Sequence, residues 1–392
     1  MDTFKSIVFF FTGFLLCACA KPEKGILIEI TNDLNLNREF ETVEVTSAFV
    51  GLQNLDNYSV INYTTKDTIP SQLIDSDGNG TMDVILFQPK ISANNTQLYS
   101  LVLRSNTQHI TENRCYSRFV PERTDDYAWE NNRVAFRTYG PNAQYRYENK
   151  LKEGTLSSGV DAWLKRVEYS IIDNWYKKYT EKTGTYHEDT GEGLDNFHVG
   201  SSRGVGGIAY KKDSTYYTSK NFITYKTLTT GPIRTSFVLD YGTWAADTIK
   251  IKESKTITLD YGSNLSKFEI ELHGINAISA GLTLHENDGT VTAQKNNSWL
   301  SYWQPHADTE LGTAIVTTPK YYVDSETYLS NTKDLSNAYM HLKVLNNKTV
   351  YFAGFTWLKS NQFKNQKAWE AYLTDFAVKL RTPLKLKHLK NL

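Results

Sequence analysis

The sequence predicts an all-β protein, a large antiparallel β-sandwich of the supersandwich type, and three observations support this. Runs such as GILIEI, TMDVILF, KFEIELHG and TVYFAGFTW read as strands and recur along the whole chain. Asn, Asp, Gly and Ser separate these runs, and long helical patterns are scarce. A dozen or more antiparallel strands with few helices indicate large sheets packed face to face.

The first residues predict export to the cell envelope. Lys5 precedes SIVFFFTGFLL, an apolar run of signal-peptide length that is shorter than the ~20 residues a spanning helix needs. It ends in LCAC (16–19), which resembles a lipobox with Cys19 as the lipidated first residue; ordinary secretory cleavage nearby is the alternative. We expect residues 1–18 to be a lipoprotein signal peptide and the lipid to be the protein's only membrane attachment. The residues after Cys19 carry no strong acidic run, which favours a periplasm-facing position over the cell surface.

The mature chain divides into two predicted parts. Residues 19–110 form an N-terminal β region, separate or part of the main sandwich, and residues 111–392 form the main, catalytic sandwich. A short helix near the end is predicted by KAWEAYLTDFAVKL, whose five large apolar residues recur at helical spacing. DSDGNGTMD (75–83) begins like a calcium loop but has Leu86 where the bidentate Glu belongs, so a turn between strands is favoured. Cys115 is left without an intramolecular disulfide partner.

Composition narrows the class of partner. Forty-three basic residues balance 43 acidic ones, so no broad positive field is available for nucleic acid. Aromatic residues make up 13% of the chain, which suits a β-rich core and also surfaces on which sugars stack.

Three polar segments are candidates for the functional site. In the strand NNRVAFRTY, one face carries Arg133, Arg137 and Tyr139, which would suit an anionic oligosaccharide or form a solvated outer face. In SSGVDAWLKRVEY, the residues that share a face are Asp161, Trp163 and Lys165. That combination fits a sugar-binding wall, and equally a surface salt bridge beside a packed tryptophan.

The third segment, YHEDTGEGLDNFHVG (186–200), holds two histidines and four carboxylates. It contains no HExxH, HxH or cysteine-based zinc spacing, and its glycines argue against a helix that would align ligands. No cofactor is required by the sequence, although a divalent metal site assembled by the fold stays open. The alternatives are an acid/base site and a structured loop.

These segments resemble the domain-of-unknown-function family numbered 4861, found mainly in Bacteroidetes polysaccharide-utilisation loci. Its signatures stand here as Arg123–Pro141, Ser157–Arg166 and Tyr186–Gly207, about a quarter of the chain, with one departure at Asn132, where the family usually has Asp. Members linked to ulvan breakdown look like oligosaccharide dehydratases. The resemblance therefore implies removal of water from a non-reducing-end glucuronate, which leaves a 4,5-unsaturated uronyl end.

Such an elimination needs a cation to neutralise the uronate carboxylate, a base for the C5 proton and an acid for the leaving 4-hydroxyl. Histidine is the residue type suited to a base near neutral pH. The residues assigned to these roles are His187 as base; Tyr139 or Tyr186 as acid; Arg133, Arg137, Lys165, Arg166 and Arg203 as clamps; Glu192 and Asp195 to orient the base or bind hydroxyls; and Trp129 or Trp163 to stack on a sugar.

Three other functions compete with the dehydratase. A uronate polysaccharide lyase would create the same unsaturated, ultraviolet-absorbing uronyl end (the chromophore) but would shorten the saccharide chain. A glycoside hydrolase would pair Asp161 with Glu192 or Asp195 and give no chromophore. A lipid-anchored carbohydrate-binding protein would bind acidic oligosaccharides without turnover.

Overall fold

The computed structural model describes residues 25–103 and 113–390. The predicted signal peptide and the lipidation at Cys19 lie outside the described residues. The described chain is mostly strand, and every pairing between its named strands is antiparallel. The all-β class predicted by the alternating runs is therefore confirmed.

The amino-terminal part contains a short helix and seven strands: β1 Ile26–Asn32, β2 Val43–Thr46, α1 Ser47–Val50, β3 Tyr58–Asn62, β4 Thr68–Ile69, β5 Ser71–Ile74, β6 Val84–Phe87 and β7 Asn95–Leu103. The middle part contains β8 Tyr116–Val120, β9 Asp126–Glu130, β10 Ala135–Thr138, α2 Pro141–Glu148, β11 Asp161–Lys165, α3 Ile172–Thr180 and β12 Gly193–Leu194.

The remaining elements are β13 Val205–Lys212, β14 Thr215–Tyr217, β15 Phe222–Thr229, β16 Arg234–Tyr241, β17 Trp244–Ala246, β18 Ile249–Asp260, β19 Leu265–His273, β20 Ala277–Thr283, β21 Thr290–Gln294, β22 Trp299–His306, β23 Thr309–Val316, β24 Tyr322–Tyr328, β25 Asn337–Lys343, β26 Lys348–Trp357, α4 Gln366–Arg381 and β27 Lys385–Leu389. Three short 3-10 turns follow β8, β21 and β26.

The amino-terminal strands form a small unit with its own core. A sheet in the order β27-β1-β7-β3-β4 faces a three-stranded sheet, β2-β6-β5, and apolar residues of both meet between them. Its edge strand β27 comes from the carboxyl terminus and pairs with β1. The last strand, which falls within the predicted main region 111–392, is thus part of the amino-terminal sheet.

The main sandwich is built on a nine-stranded sheet, β15-β16-β18-β19-β26-β23-β22-β21, with β17 paired to β18. Two five-stranded sheets, β14-β13-β20-β25-β24 and β12-β11-β10-β9-β8, share one continuous core with it. Helix α4 packs Trp369 and Leu373 on the outer face of β22 and β23, as the apolar stripe predicts.

The loop at 75–83 is a turn between β5 and β6. The carboxylate of Asp75 accepts hydrogen bonds from the backbone N–H groups of Gly78, Asn79 and Gly80 at 2.7–3.1 Å, and these bonds lower the pKa of Asp75. Its oxygens therefore stabilise the turn, as the spacing of Asp, Asn and Gly predicts. Cys115 is a buried free thiol.

Candidate active site

Arg137 lies at the centre of the sheet β12-β11-β10-β9-β8. Alternation along β10 places Phe136 in the shared core and turns Arg137 to the other face, beside Asp161 on β11. Arg137 Nε and Nη2 donate to Asp161 Oδ2 at 3.0 and 2.5 Å, and Nη2 also donates to Asp195 Oδ2 at 2.9 Å. A third buried carboxylate, on Asp126, lies 3.8 Å from Nη1. One guanidinium therefore serves three carboxylates.

Burial makes this cluster retain protons. Loss of solvent, with the charge of Asp195 next in size, raises the pKa of Asp161 to about 7. Burial likewise raises the pKa of Asp126 to about 6 and moves that of Asp195 upward. Within the described residues, Oδ1 of Asp161 and of Asp126 has no hydrogen-bond partner. A carboxyl group in that position is less costly to bury when it is neutral, so the cluster holds a proton near neutral pH.

A cleft of about 580 Å³ opens beside this cluster. Its lining includes Arg137, Tyr139, His187 and Asp195, followed by the segment 196–201. Segments distant in sequence thus meet in one cleft. The structure brings together four of the predicted site residues there and leaves the others elsewhere.

Tyr139 connects Asp161 to the cleft. Its hydroxyl donates to Asp161 Oδ2 at 3.4 Å, and its side chain lines the cleft. Burial, reinforced by the charge of Asp161, raises the pKa of Tyr139 well above its ordinary value. The hydroxyl therefore keeps its proton and acts as a donor.

His187 has one fixed ring nitrogen and one free for chemistry. Its Nδ1 lies 2.8 Å from the backbone carbonyl of Asp195, which can only accept, so Nδ1 carries the hydrogen. In the neutral ring, Nε2 then has a lone pair. The side chain is 54% exposed and lines the cleft, and its ring lies 4.6 Å from that of Tyr186. His187 is therefore held in the tautomer that a base acting through Nε2 requires.

The cleft also contains groups to which the sequence analysis gives no role in the elimination. His198 Nε2 lies 3.0 Å from Asp334 Oδ2, which comes from the loop between β24 and β25, and Tyr147 reaches the cleft from α2. His198 belongs to the polar segment that the sequence singled out. No pattern around Asp334 or Tyr147 marks them, because only the tertiary fold places them there.

Two half-buried histidines support the segment 196–198. His285 Nε2 is 3.0 Å from the backbone carbonyl of His198, and His306 Nε2 is 2.9 Å from Asn196 Oδ1. Burial lowers the pKa of His285, and it lowers that of His306 to about 4. Both are neutral at neutral pH and act as hydrogen-bonding supports.

Several predicted substrate-binding residues are scaffold instead. Trp163 has no exposed surface and packs against the rings of Trp175 and Tyr186, so its predicted stacking on a sugar is wrong. Lys165 is fully buried and donates to Glu130 and to two backbone carbonyls, so it is not a clamp. Arg203 is 2% exposed and donates to Ser158 and to backbone carbonyls, so that predicted clamp is also wrong.

The remaining predicted residues lie beside the cleft or away from it. Tyr186 is 2% exposed, with its hydroxyl 3.5 Å from Arg137 Nη1, so Tyr139 is the better-placed acid. Glu192 accepts from Trp175 and Lys178 of α3. Arg133 lines a different cleft, so its predicted partnership with Arg137 is wrong. Strand β10 begins only at Ala135, after a turn that carries Arg133 away.

Within the described ranges, no group of three or more His, Cys, Asp or Glu side chains is arranged to hold a metal ion. No helix of these ranges is long and apolar enough to cross a bilayer.

The fold and the cleft define a β-sandwich protein with a buried cluster of titratable groups under an open site. The chain belongs to the family described as Domain of unknown function (DUF4861), whose model matches residues 30–386. It is 51% identical over 378 residues to Uncharacterized protein P7 of Formosa agariphila, an alignment that covers 95% of this chain and 96% of that protein.

Two solved structures are similar in fold. One is a protein in the Glycosyl Hydrolase Family 38 from Enterococcus faecalis, with a TM-score of 0.50 and 10% identity over 94% of this chain. The other is an alpha-mannosidase from Enterococcus faecalis V583, with a TM-score of 0.47 and 10% identity over 95% of this chain. The chain spans about half the length of these proteins, 48% and 47%. At this identity the likeness concerns the fold alone.

Proposed function

We propose that the protein is an oligosaccharide dehydratase that eliminates water from a non-reducing-end glucuronate of ulvan-type oligosaccharides. One observation carries the proposal: a single cleft is lined by His187, Tyr139 and Arg137. These are the base, the acid and the cation that the elimination needs. The substrate class comes from the family resemblance.

His187 is proposed as the base. Its Nδ1 is occupied by the carbonyl of Asp195, so the neutral ring takes the C5 proton of the uronate at Nε2. The carboxylate of Asp195, 3.8 Å from Nδ1, stabilises the imidazolium that forms. The C5–H bond breaks and its electron pair forms the C4–C5 double bond.

Tyr139 is proposed as the acid. As the C4–O bond breaks, its hydroxyl gives a proton to the departing oxygen, and water leaves. Solvent in the cleft, which Tyr139 lines, then returns a proton to the phenolate. Asp161, 3.4 Å from the phenol and with a pKa of about 7, limits the negative charge beside that phenolate while it is protonated. The proton on His187 later returns to solvent, which its exposure allows.

Arg137 is proposed to neutralise the sugar carboxylate. While Asp161 carries a proton, one fewer negative charge faces the guanidinium, and Arg137 is then better able to pair with an added carboxylate in the cleft. Pairing lowers the cost of forming a carbanion beside that carboxylate.

The carboxylate arrangement favours elimination over two-carboxylate hydrolysis. Asp161 and Asp195 accept from the same nitrogen of Arg137, and Asp161 has no exposed surface. Such a pair does not flank an open, sugar-sized space, as the carboxylates of a glycosidase do.

The test is incubation with oligosaccharides that end in glucuronate, with ultraviolet absorbance and product mass recorded together, with and without a chelator. We expect a rising absorbance and a product lighter by one water. His187→Ala should lower kcat about 10²–10⁴-fold. His273→Ala is the matched control, because His273 is also about half exposed but pairs with Glu271 on β19, outside the cleft.

Other outcomes would identify a different function. A shortened chain with the chromophore indicates a lyase, and shortening without it a hydrolase. Binding without product indicates a carbohydrate-binding protein. Full activity of His187→Ala would refute the base assignment even if water is lost.

We also propose that the protein is an envelope lipoprotein anchored through Cys19, facing the periplasm. The support is the signal-like segment ending in LCAC. Labelling with a radioactive fatty acid should mark the wild type and leave Cys19→Ala unmarked; equal labelling would contradict the assignment.

A further inference from the structure

A second and larger cleft, about 860 Å³, lies where the amino-terminal unit meets the nine-stranded sheet and α4. It is distinct from the candidate active site, and no histidine of the described chain lines it. Phe40 and Arg133 contribute to its wall, together with Gly262 and Tyr372. Arg133 belongs to a family motif, yet the chemistry proposed above does not use it.

Arg133 is a half-buried cation without a carboxylate partner among the described residues. Its Nη1 donates to Asn264 Oδ1 at 3.1 Å. Other basic residues of this wall are paired: Arg234 with Asp260 at 2.6 Å and Lys379 with Glu41 at 3.8 Å. A partly desolvated guanidinium with donors to spare is a site for an anion.

Phe40 holds a backbone conformation that bulky residues rarely adopt. Its φ is +57°, in the left-handed region, and its side chain is 38% exposed at the cleft. The guanidinium of Arg133 lies 5.4 Å from the ring centre. Strain of this kind persists where the surrounding structure imposes it, and it clusters at ligand sites.

The family motif fixes the floor under this ring. Asn132 Oδ1 accepts the N–H of Gly262, and Asn131 Nδ2 donates to carbonyls of Asp260 and Ser263. A Cβ on Gly262 would lie 2.4 Å from the Phe40 ring, so only glycine permits this approach. The role of residue 132 is that of an acceptor, which Asn fulfils as well as Asp.

We propose that this second cleft binds an acidic saccharide, one that carries a carboxylate or sulfate, without changing it chemically. A sugar face stacks on Phe40, and the anionic group pairs with Arg133. The saccharide class rests on the proposed function, whereas the anionic character rests on Arg133. This saccharide is separate from the one that binds at the candidate active site.

The test uses calorimetric titration of the full-length protein in a His187→Ala background, with melting curves to confirm folding. The probes are a glucuronate-ended ulvan tetrasaccharide, its desulfated form and neutral cellotetraose. We expect the acidic tetrasaccharide to bind at two sites in the His187→Ala protein. Adding Phe40→Asn or Arg133→Gln should lower the affinity of the second cleft at least about tenfold relative to that protein, so that only one site is detected. Asn tolerates the left-handed backbone, so the first variant removes the ring without adding strain.

Phe49→Asn is the matched control, because Phe49 is equally exposed at 38% and lines neither cleft; we expect it to leave both sites unchanged. Loss of the second site on desulfation identifies sulfate as the anion, and its retention identifies the carboxylate. Binding that is unaffected by both cleft variants, or equal binding of cellotetraose, overturns the inference.

Elimination is assayed separately in protein that retains His187, where Phe40→Asn should leave the rate of water elimination unchanged. If the cleft variants lose the second site but the wild type eliminates no water, only the proposed function is refuted.

Discussion

At the scale of single residues, the most consequential feature of the Arg137 cluster is the proton that Asp161 holds. Asp161 has a folded-state pKa of about 7, against an ordinary value of 3.8, and it contacts both Arg137 and Tyr139. A raised pKa means that the folded state binds the proton more tightly than the unfolded chain. The stabilisation from this proton is complete below about pH 4 and is lost as pH rises through about 7.

A pH titration of stability tests this assignment. We expect Asp161 to contribute a fall in the free energy of unfolding of up to about 1.4 kcal/mol per pH unit between about pH 4 and pH 7, whereas His306, whose pKa is lowered to about 4, contributes a rise up to about pH 6.5. Asp161→Asn keeps the shape and removes the first contribution, so the difference in slope between wild type and variant isolates it, most clearly near neutral pH. Asp126, with its pKa of about 6, accounts for slope that remains below that. Urea unfolding at several pH values measures both; an unchanged slope would contradict the assignment.

Sequence reasoning located some site residues and misplaced others for one physical reason. Alternation placed Asp161, Trp163 and Lys165 on one face, and that face is indeed separate from the one that carries Leu164. It does not show whether a face is covered. Charged side chains are usually exposed, but Lys165 and Arg203 are buried because distant partners satisfy them.

At the scale of elements, one buried ion pair joins two strands to a helix. Lys165 on β11 donates to Glu130 on β9 at 2.7 Å, and neither side chain has exposed surface. Glu130 also accepts the N–H groups of Ile171 and Ile172, where α3 begins. An anion there satisfies free backbone donors and complements the helix dipole.

Lys165→Met should therefore destabilise the protein by about 3–5 kcal/mol, because it leaves Glu130 buried and uncompensated. Adding Glu130→Gln should restore part of that loss. Lys220→Met is the control: its partner Glu148 is exposed, as Lys220 is, so the change should leave the free energy of unfolding nearly unchanged. Chemical denaturation measures all three variants. A double variant no more stable than Lys165→Met would show that the charge on Glu130 is not the cause.

The two longer helices differ in how far the sequence predicts them. Helix α4 has 16 residues, a wide apolar stripe and an Asn365 side chain that caps its start, so its local pattern suffices. Helix α3 has nine residues, and Glu130 at its start comes from a strand about forty positions earlier. A sequence window around α3 does not contain that partner, although Ile172, Trp175 and Tyr176 do recur at helical spacing.

At the scale of the whole molecule, the amino-terminal unit is tied to the carboxyl terminus at two places. Strand β27 pairs with β1, and fully buried Arg38 donates to the carbonyl of Thr382 and to Glu41 at 2.7 Å each. Arg38 also fixes the segment 38–42, which carries Phe40 into the second cleft. Stability and the second cleft are thus coupled through one arginine.

Arg38→Met tests that coupling. It leaves the carbonyl of Thr382 and the carboxylate of Glu41 without their donor, which should cost about 2–4 kcal/mol. We expect hydrogen exchange to quicken in β1 and β27 while β22 and β23 keep their protection, because α4 still packs on the latter. Arg146→Met, at a side chain 32% exposed, is the control and should change neither. Because Arg38 fixes the segment that carries Phe40, Arg38→Met should also weaken the binding of an acidic saccharide at the second cleft. It should leave elimination at the candidate active site intact. Equal loosening of all sheets would instead show that the molecule unfolds as one unit.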